Sequence, residues 1–221
     1  MEELNCDTAF TIPLFGGIKI SESVAVTWII MAVVVLLCVI LPRHPTQPKT
    51  VMKAQLLLES AIGKGVDFFE DVMGKENRRY IPYLITVLIY IGIANIIGLL
   101  GFKPPTKDLN VTIALAVMSM CLIEYSGIHK NGLKHWVKHF AKPVPFVAPI
   151  MVLEIVIRPL SLCMRLFGNV LGAFVIMELL KIVAPAIIPI PFSFYFDIFD
   201  GFLQAYVFVF LTALFMNEEQ E

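Results

Sequence analysis

Residues 158–172 read RPLSLCMRLFGNVLG, which places two arginines seven positions apart inside a run otherwise suited to lipid. The apolar stretch that contains them extends over about 146–184. A helix rising about 1.5 Å per residue needs about 20 apolar residues to cross the hydrocarbon core of a bilayer. The stretch is too long for one upright crossing, and no loop signal divides it cleanly. One long, tilted helix is the expectation, with Pro159 tolerated inside it as prolines commonly are in membrane helices.

On such a helix Glu154, Arg158, Ser161, Arg165, Asn169 and Gly172 follow one another at steps of three or four and share a face, with Gly168 beside them. Arginine at a helix centre costs on the order of 3 kcal/mol in the membrane, so each guanidinium calls for an anionic partner or a water-filled passage. Arg158 lies nearer the start of the stretch, where it can pair with Glu154 or snorkel to the interface. Arg165 is about as far from either end as a residue can be. Because guanidinium keeps its proton in proteins, Arg165 cannot hand a proton along a relay. It acts as a fixed positive charge, attracting a carboxylate from another helix and repelling cations that would leak straight through.

Composition extends the membrane reading to the whole chain of 221 residues: 58% are hydrophobic, 16% are charged, and the mean hydropathy is +0.81. Segments long enough to cross lie at about 23–41, 81–101, 109–128, 146–184 and 192–216. The acidic start, MEELNCDTAF, lacks the basic region of a secretory signal, so the first segment is expected to be retained as a span. Basic residues gather in 42–80 and in 129–142, which assigns those loops to the cytoplasm, the N-terminus to the outside and the C-terminus to the cytoplasm. Between the first two spans, about 50–73, Leu58, Ile62, Phe69 and Met73 face away from Ser60, Lys64, Asp67 and Asp71. An amphipathic helix on the cytoplasmic surface is expected there, although contact with a partner subunit would look the same. The expected fold is an all-α, multi-pass membrane protein with five transmembrane helices plus that surface helix, forming a single integral membrane domain over 1–221.

The last span carries a second polar stripe. Asp197, then Asp200 or Gly201, then Gln204 fall at helical spacing, the two acids toward the outer end and near Glu178 of the preceding helix. An aqueous vestibule with acidic walls opening to the outside is the expectation, although interfacial acids can also be merely solvated.

Other classes of function find little support. The net charge is −1 and the basic residues are clustered in loops, so no nucleic-acid surface is expected. Cys6, Cys38, Cys121 and Cys163 show no metal-ligand spacing, and neither a metal nor another cofactor is expected. His44, His129, His135 and His139 all lie in the basic loops, away from the apolar segments that hold the acids. There is no GxxxxGK[ST] loop for nucleotide phosphates and no internal repeat of the transporter kind.

With these residues in view, the chain resembles subunit a of the F-type ATP synthase. The hallmark is RPLSLCMRLFGNVLG (158–172), joined by NIIGLLGFKPPTKDLNVTIALA (95–116) and LQAYVFVFLT (203–212), and the likeness runs from about residue 20 to the end. The resemblance implies that Arg165 is the essential arginine of ion translocation, with Asn169 and Gln204 as its channel-lining neighbours. It implies a location in the cell membrane, a tilted hairpin of the last two long helices against a rotating ring of c subunits, and two offset half-channels. Peripheral stalk b subunits, the remaining synthase subunits and a translocated proton or sodium ion are the other implied partners, besides membrane lipid. ATP chemistry would belong to other subunits.

Two departures stand out. Many members carry glutamate five residues after the asparagine, where this chain has Phe174, and many carry histidine or glutamate near Asp197. An outer half-channel of Glu178, Asp197 and Asp200 is the expectation for this chain in particular. Glu154, Arg158 and Ser161 fit either a structural role or the inner half-channel, while Gly168 and Gly172 suit close helix packing. The competing reading is a stand-alone secondary transporter or channel in which Arg165 binds an anion; a chain that left detergent alone and still transported would favour it.

Overall fold

The computed structural model of the chain describes residues 8–12, 18–40, 53–100, 104–132, 148–183 and 189–220. Of the loop charges behind the sidedness expectation, Arg43, Lys49, Lys134, Lys138 and Lys142 lie outside the described residues. So do Cys6, His44, His135 and His139.

The chain opens with a feature that the all-helical expectation missed. Strands β1 (Thr8–Ile12) and β2 (Ile18–Ser21) form an antiparallel pair, with Thr11 opposite Lys19 and Ile12 opposite Ile18. Almost everything described after it is helical: α1 (Glu22–Ile40), α2 (Lys53–Met73), α3 (Ile81–Ile96), α4 (Leu109–Asn131) and α5 (Ala148–Val183), then short α6 (Pro189–Ser193) and α7 (Gly201–Gln220). Short 3-10 turns lie at Lys75–Tyr80, Ile97–Leu100 and Pro105–Lys107. Asp108 caps α4, its carboxylate accepting from the backbone N–H of Asn110 at 3.0 Å.

Four described helical stretches are long and apolar enough to cross a membrane: Lys75–Ile96, Leu109–Asn131, Leu153–Val183 and Pro191–Gln220. Within α1 the described apolar run is Glu22–Leu36, shorter than these four. The long stretch around the two arginines is one unbroken helix, α5, whose 36 residues run through Pro159. Its length is about 54 Å at 1.5 Å per residue.

The last span departs from a regular α-helix. Between α6 and α7, residues Phe194–Asp200 form a π-helical stretch of seven residues, with the Gly201 N–H bonded back to the Phe196 carbonyl. Spacing arguments based on 3.6 residues per turn therefore fail locally around Asp197 and Asp200.

Packing is centred on α3, α4 and α7. α3 lies along α7, and α4 packs on both α5 and α7, which touch each other little. The seams are filled by Leu84, Val87 and Ile91 from α3, Ile123 from α4, Leu162 and Leu166 from α5, and Val209 and Met216 from α7. Lipid gives helices no hydrophobic drive to associate, so close contact and interhelical hydrogen bonds carry more of the task. The Tyr83 and Ser119 hydroxyls meet at 3.1 Å between α3 and α4, and those of Thr27 and Tyr90 at 3.1 Å between α1 and α3.

α2 is less of a free surface helix than its pattern suggested. Phe69 and Met73 are buried where α2 packs on α3 and α7, while Ile62 on the expected apolar face stays exposed. Lys64, Asp67 and Asp71 opposite them are exposed, while the side chain of Leu58 lies outside the described residues.

Candidate functional site

The polar face of α5 splits into two environments. Arg158 turns inward at the end of the bundle where α4 and α7 finish. Its Nη2 lies 3.0 Å from Glu154 and 3.3 Å from Glu218, and its Nη1 lies 3.2 Å from Glu219. The guanidinium carbon sits 5.1 Å from the centre of the Phe215 ring, and the side chain is only 11% exposed. The Glu154 pairing expected from sequence is present, but the two C-terminal glutamates were not foreseen. Asn131 at the end of α4 donates weakly to the backbone carbonyls of Glu219 and Gln220, at 3.5 and 3.4 Å. Gly127 lets α7 approach: a Cβ there would lie 2.7 Å from the Glu219 Cγ and 3.1 Å from its carbonyl oxygen.

Arg165 has the opposite surroundings. It is exposed, as are Ser161, Gly168 and Asn169, and it has no hydrogen bond or ion pair among the described residues. The other side of the same helix, at Leu162, Cys163 and Leu166, is buried against the bundle. A Cβ at Gly168 or Gly172 would meet nothing within 4 Å, so these glycines serve no close approach to another described helix of this chain. α5 is by far the barest of the four long helices: 6% of its apolar window is buried, against 39–44% in the others.

The acids expected to form a vestibule do come together. At the other end of the bundle a cavity of about 360 Å³ is lined by Glu178 of α5, Asp197 and Asp200 of the π-helical stretch, and Gln204 of α7. Gln204 is buried, and the Asp197 carboxylate accepts from the Ser193 hydroxyl at 2.7 Å. Two lysines share the cavity. Lys181 pairs with Glu178 at 2.7 Å, and the Lys107 ammonium sits 3.2 Å from the centre of the Phe174 ring. On α5 the lining begins at Val170, so Arg165 and Asn169 lie outside it. The five residues from Val170 to Arg165 are about 7.5 Å of helix rise. Arg165 thus stands between an acid-lined cavity at one end and the Arg158 cluster at the other.

Sequence reasoning missed Asn95, Gly98 and Lys107, which also line the cavity. They lie inside the 95–116 segment noted from the sequence, but their role depends on contacts more than 60 residues distant along the chain, which no local pattern announces. Among the described residues no three His, Cys, Asp or Glu side chains are grouped so as to hold a metal ion.

Residues 24–217 match the family model described as ATP synthase A chain. The chain belongs to the ATP synthase subunit a family. It is 36% identical over 202 residues to ATP synthase subunit a of Moorella thermoacetica, covering 91% of each chain. It is 32% identical over 209 residues to that of Legionella pneumophila, covering 91% of this chain and 87% of the relative. It is also 32% identical over 206 residues to that of Geobacter sulfurreducens, covering 91% and 88%. Family membership agrees with the resemblance carried by residues 158–172, and the helices agree with a multi-pass membrane protein.

Proposed function

We propose that this chain is the ion-translocating stator subunit of an F-type ATP synthase, with Arg165 separating two offset half-channels against a rotating ring of c subunits. The observation that carries the reading is the exposure of Ser161, Arg165 and Asn169 in the middle of the barest of the four long helices. A guanidinium facing lipid costs on the order of 3 kcal/mol, so that face calls for a partner offering carboxylates. A ring carrying one ion-binding carboxylate per subunit supplies such a partner repeatedly. Bare backbone at Gly168 and Gly172 then serves close approach to the ring.

In this reading the ion, a proton or sodium, enters through the cavity of Glu178, Asp197, Asp200 and Gln204. It neutralises a ring carboxylate and leaves, after most of a turn, past Ser161 and Glu154 on the other side. Arg165 holds the emptied carboxylate in its charged form and bars the direct route. Each charge that slipped past would waste about 2.3 kcal/mol per 100 mV of membrane potential.

The chain forms one integral membrane domain of five crossings, with α1 as the first, the N-terminus outside and the C-terminus in the cytoplasm. α5 and α7 tilt steeply against the ring, which accommodates the length of α5 in a hydrocarbon core of about 30 Å. Peripheral stalk b subunits hold the chain still, and nucleotide chemistry takes place in the other sector. Arg165→Ala in the assembled complex tests the core of the reading: ion-driven ATP synthesis should vanish, and a fully coupled variant would overturn it.

A further inference from the structure

The π-helical stretch that carries Asp197 and Asp200 has no proline to force its geometry, and such segments are uncommon and recur at functional sites. A cause is visible across the seam with α3. The Thr106 hydroxyl donates to the Asn95 Oδ1 at 2.8 Å, and the Asn95 Nδ2 donates to the backbone carbonyl of Gly201 at 3.0 Å. Gly201 is the first residue beyond the π-helical stretch. Asn95 and Thr106 are 5% and 0% exposed, so leaving either bond unmade would strand a buried polar group.

The fit around this chain of bonds is tight. A Cβ on Gly201 would lie 2.8 Å from the Asn95 Cβ, so Asn95 reaches the carbonyl only because the side chain is missing there. Nearly one turn on from Asn95, Gly98 leaves room for the Asp197 carboxylate, whose Oδ1 would be 3.2 Å from a Cβ on that glycine. The end of α3 therefore touches the π-helical stretch at Asp197 and its junction with α7 at Gly201. A side chain bonding into a helix ladder is an established cause of local irregularity.

We infer that Asn95 and Thr106 are positioning residues that latch the helical register at Gly201, so that Asp197, Asp200 and Gln204 line one cavity. The inference rests on the reading of that cavity as the ion's outer access path. Without the latch, the segment relaxes toward a regular α-helix. The faces presented by residues 193–200 then rotate relative to Gln204, whose own helix is fixed by the core.

The test uses the assembled complex in its membrane, in a background lacking the native cysteines, with one reporter cysteine at a time. Phe196→Cys sits in the cavity wall, and Phe199→Cys sits on the exposed side of the same stretch. A membrane-impermeant, water-soluble thiol reagent should label position 196 readily and position 199 slowly. Adding Asn95→Leu should lower labelling at 196 relative to 199 about tenfold; Thr106→Val should shift it the same way by less, and Thr106→Ser should restore it.

An unchanged ratio in assembled Asn95→Leu overturns the latch. If that variant does not assemble, the comparison of Thr106→Val with Thr106→Ser decides: equal ratios overturn the latch, and a restored ratio in the serine variant supports it. Because labelling does not depend on ion flow, the two readings separate. A shifted ratio with undiminished ATP-driven ion pumping supports the latch and counts against the cavity as the ion's path.

Discussion

Arg158 and Arg165 are two turns apart on one helix and share one stripe, yet the fold treats them in opposite ways. Arg158 is folded into a cage of three carboxylates and an aromatic ring, while Arg165 is left bare. The same side chain therefore does structural service at one level of the membrane and waits for a partner at the next. A buried charge that the chain itself neutralises ties α5 to the end of α7. A charge that the chain does not neutralise, in a helix crossing lipid, points outside the chain for its counter-ion.

That contrast predicts opposite phenotypes. Arg165→Ala should reduce ion-driven ATP synthesis by at least a hundredfold while leaving the thermal stability and yield of the complex unchanged, because no contact within the described residues is lost. Falling stability in step with activity would erase the distinction. Arg158→Ala should do the reverse. It leaves Glu219, 12% exposed, without its guanidinium, and breaking a buried pair from one side costs about 3 kcal/mol. The complex should melt earlier and accumulate poorly, while the fraction that assembles stays coupled.

A second pair of changes tests whether the two ends of the stripe differ in kind. Gly127→Ala pushes on Glu219 where a Cβ would meet its Cγ at 2.7 Å, and overpacking of this sort costs about 1–3 kcal/mol. It should loosen the Arg158 end without touching ion flow per assembled complex. Neutralising Glu178 and Asp197 together, as glutamine and asparagine, should instead lower passive ion flow through the membrane sector about tenfold at normal assembly. Undiminished flux in that double variant would remove both from the pathway.

What could be read in advance follows the range of the interaction. The length of α5 and the shared polar face depend only on hydrophobicity and a 3.6-residue period, so both were legible, as was the Glu154–Arg158 pair one turn apart. The convergence of Glu178 with Asp197 and Asp200 was legible from the order of the spans. The partners of Arg158 at Glu218 and Glu219, and the bond from Asn95 to Gly201, join residues 60 to 106 positions apart and leave no periodic trace. The π-helical stretch was invisible because its aromatic run suits either helix type. The β1–β2 pair did carry a signal, since TAFTI and IKIS are short alternating runs on either side of PLFGG.

The smallest expected effect discriminates best between burial and net charge as the source of the Arg158 cluster's strength. Glu218 and Glu219 are both within 3.3 Å of the guanidinium, but their side chains are 59% and 12% exposed. If summed charge matters, Glu218→Gln and Glu219→Gln should destabilise the complex equally. If burial matters, the exposed pair is worth under about 0.5 kcal/mol, because water screens it and Arg158 keeps two other carboxylates. The buried pair should then be worth several times more. Thermal melting of the two variants side by side should therefore show Glu218→Gln close to the unaltered protein and Glu219→Gln clearly below it. Equal shifts would mean that Arg158 is held by the field of the whole C-terminal end and not by one closed contact.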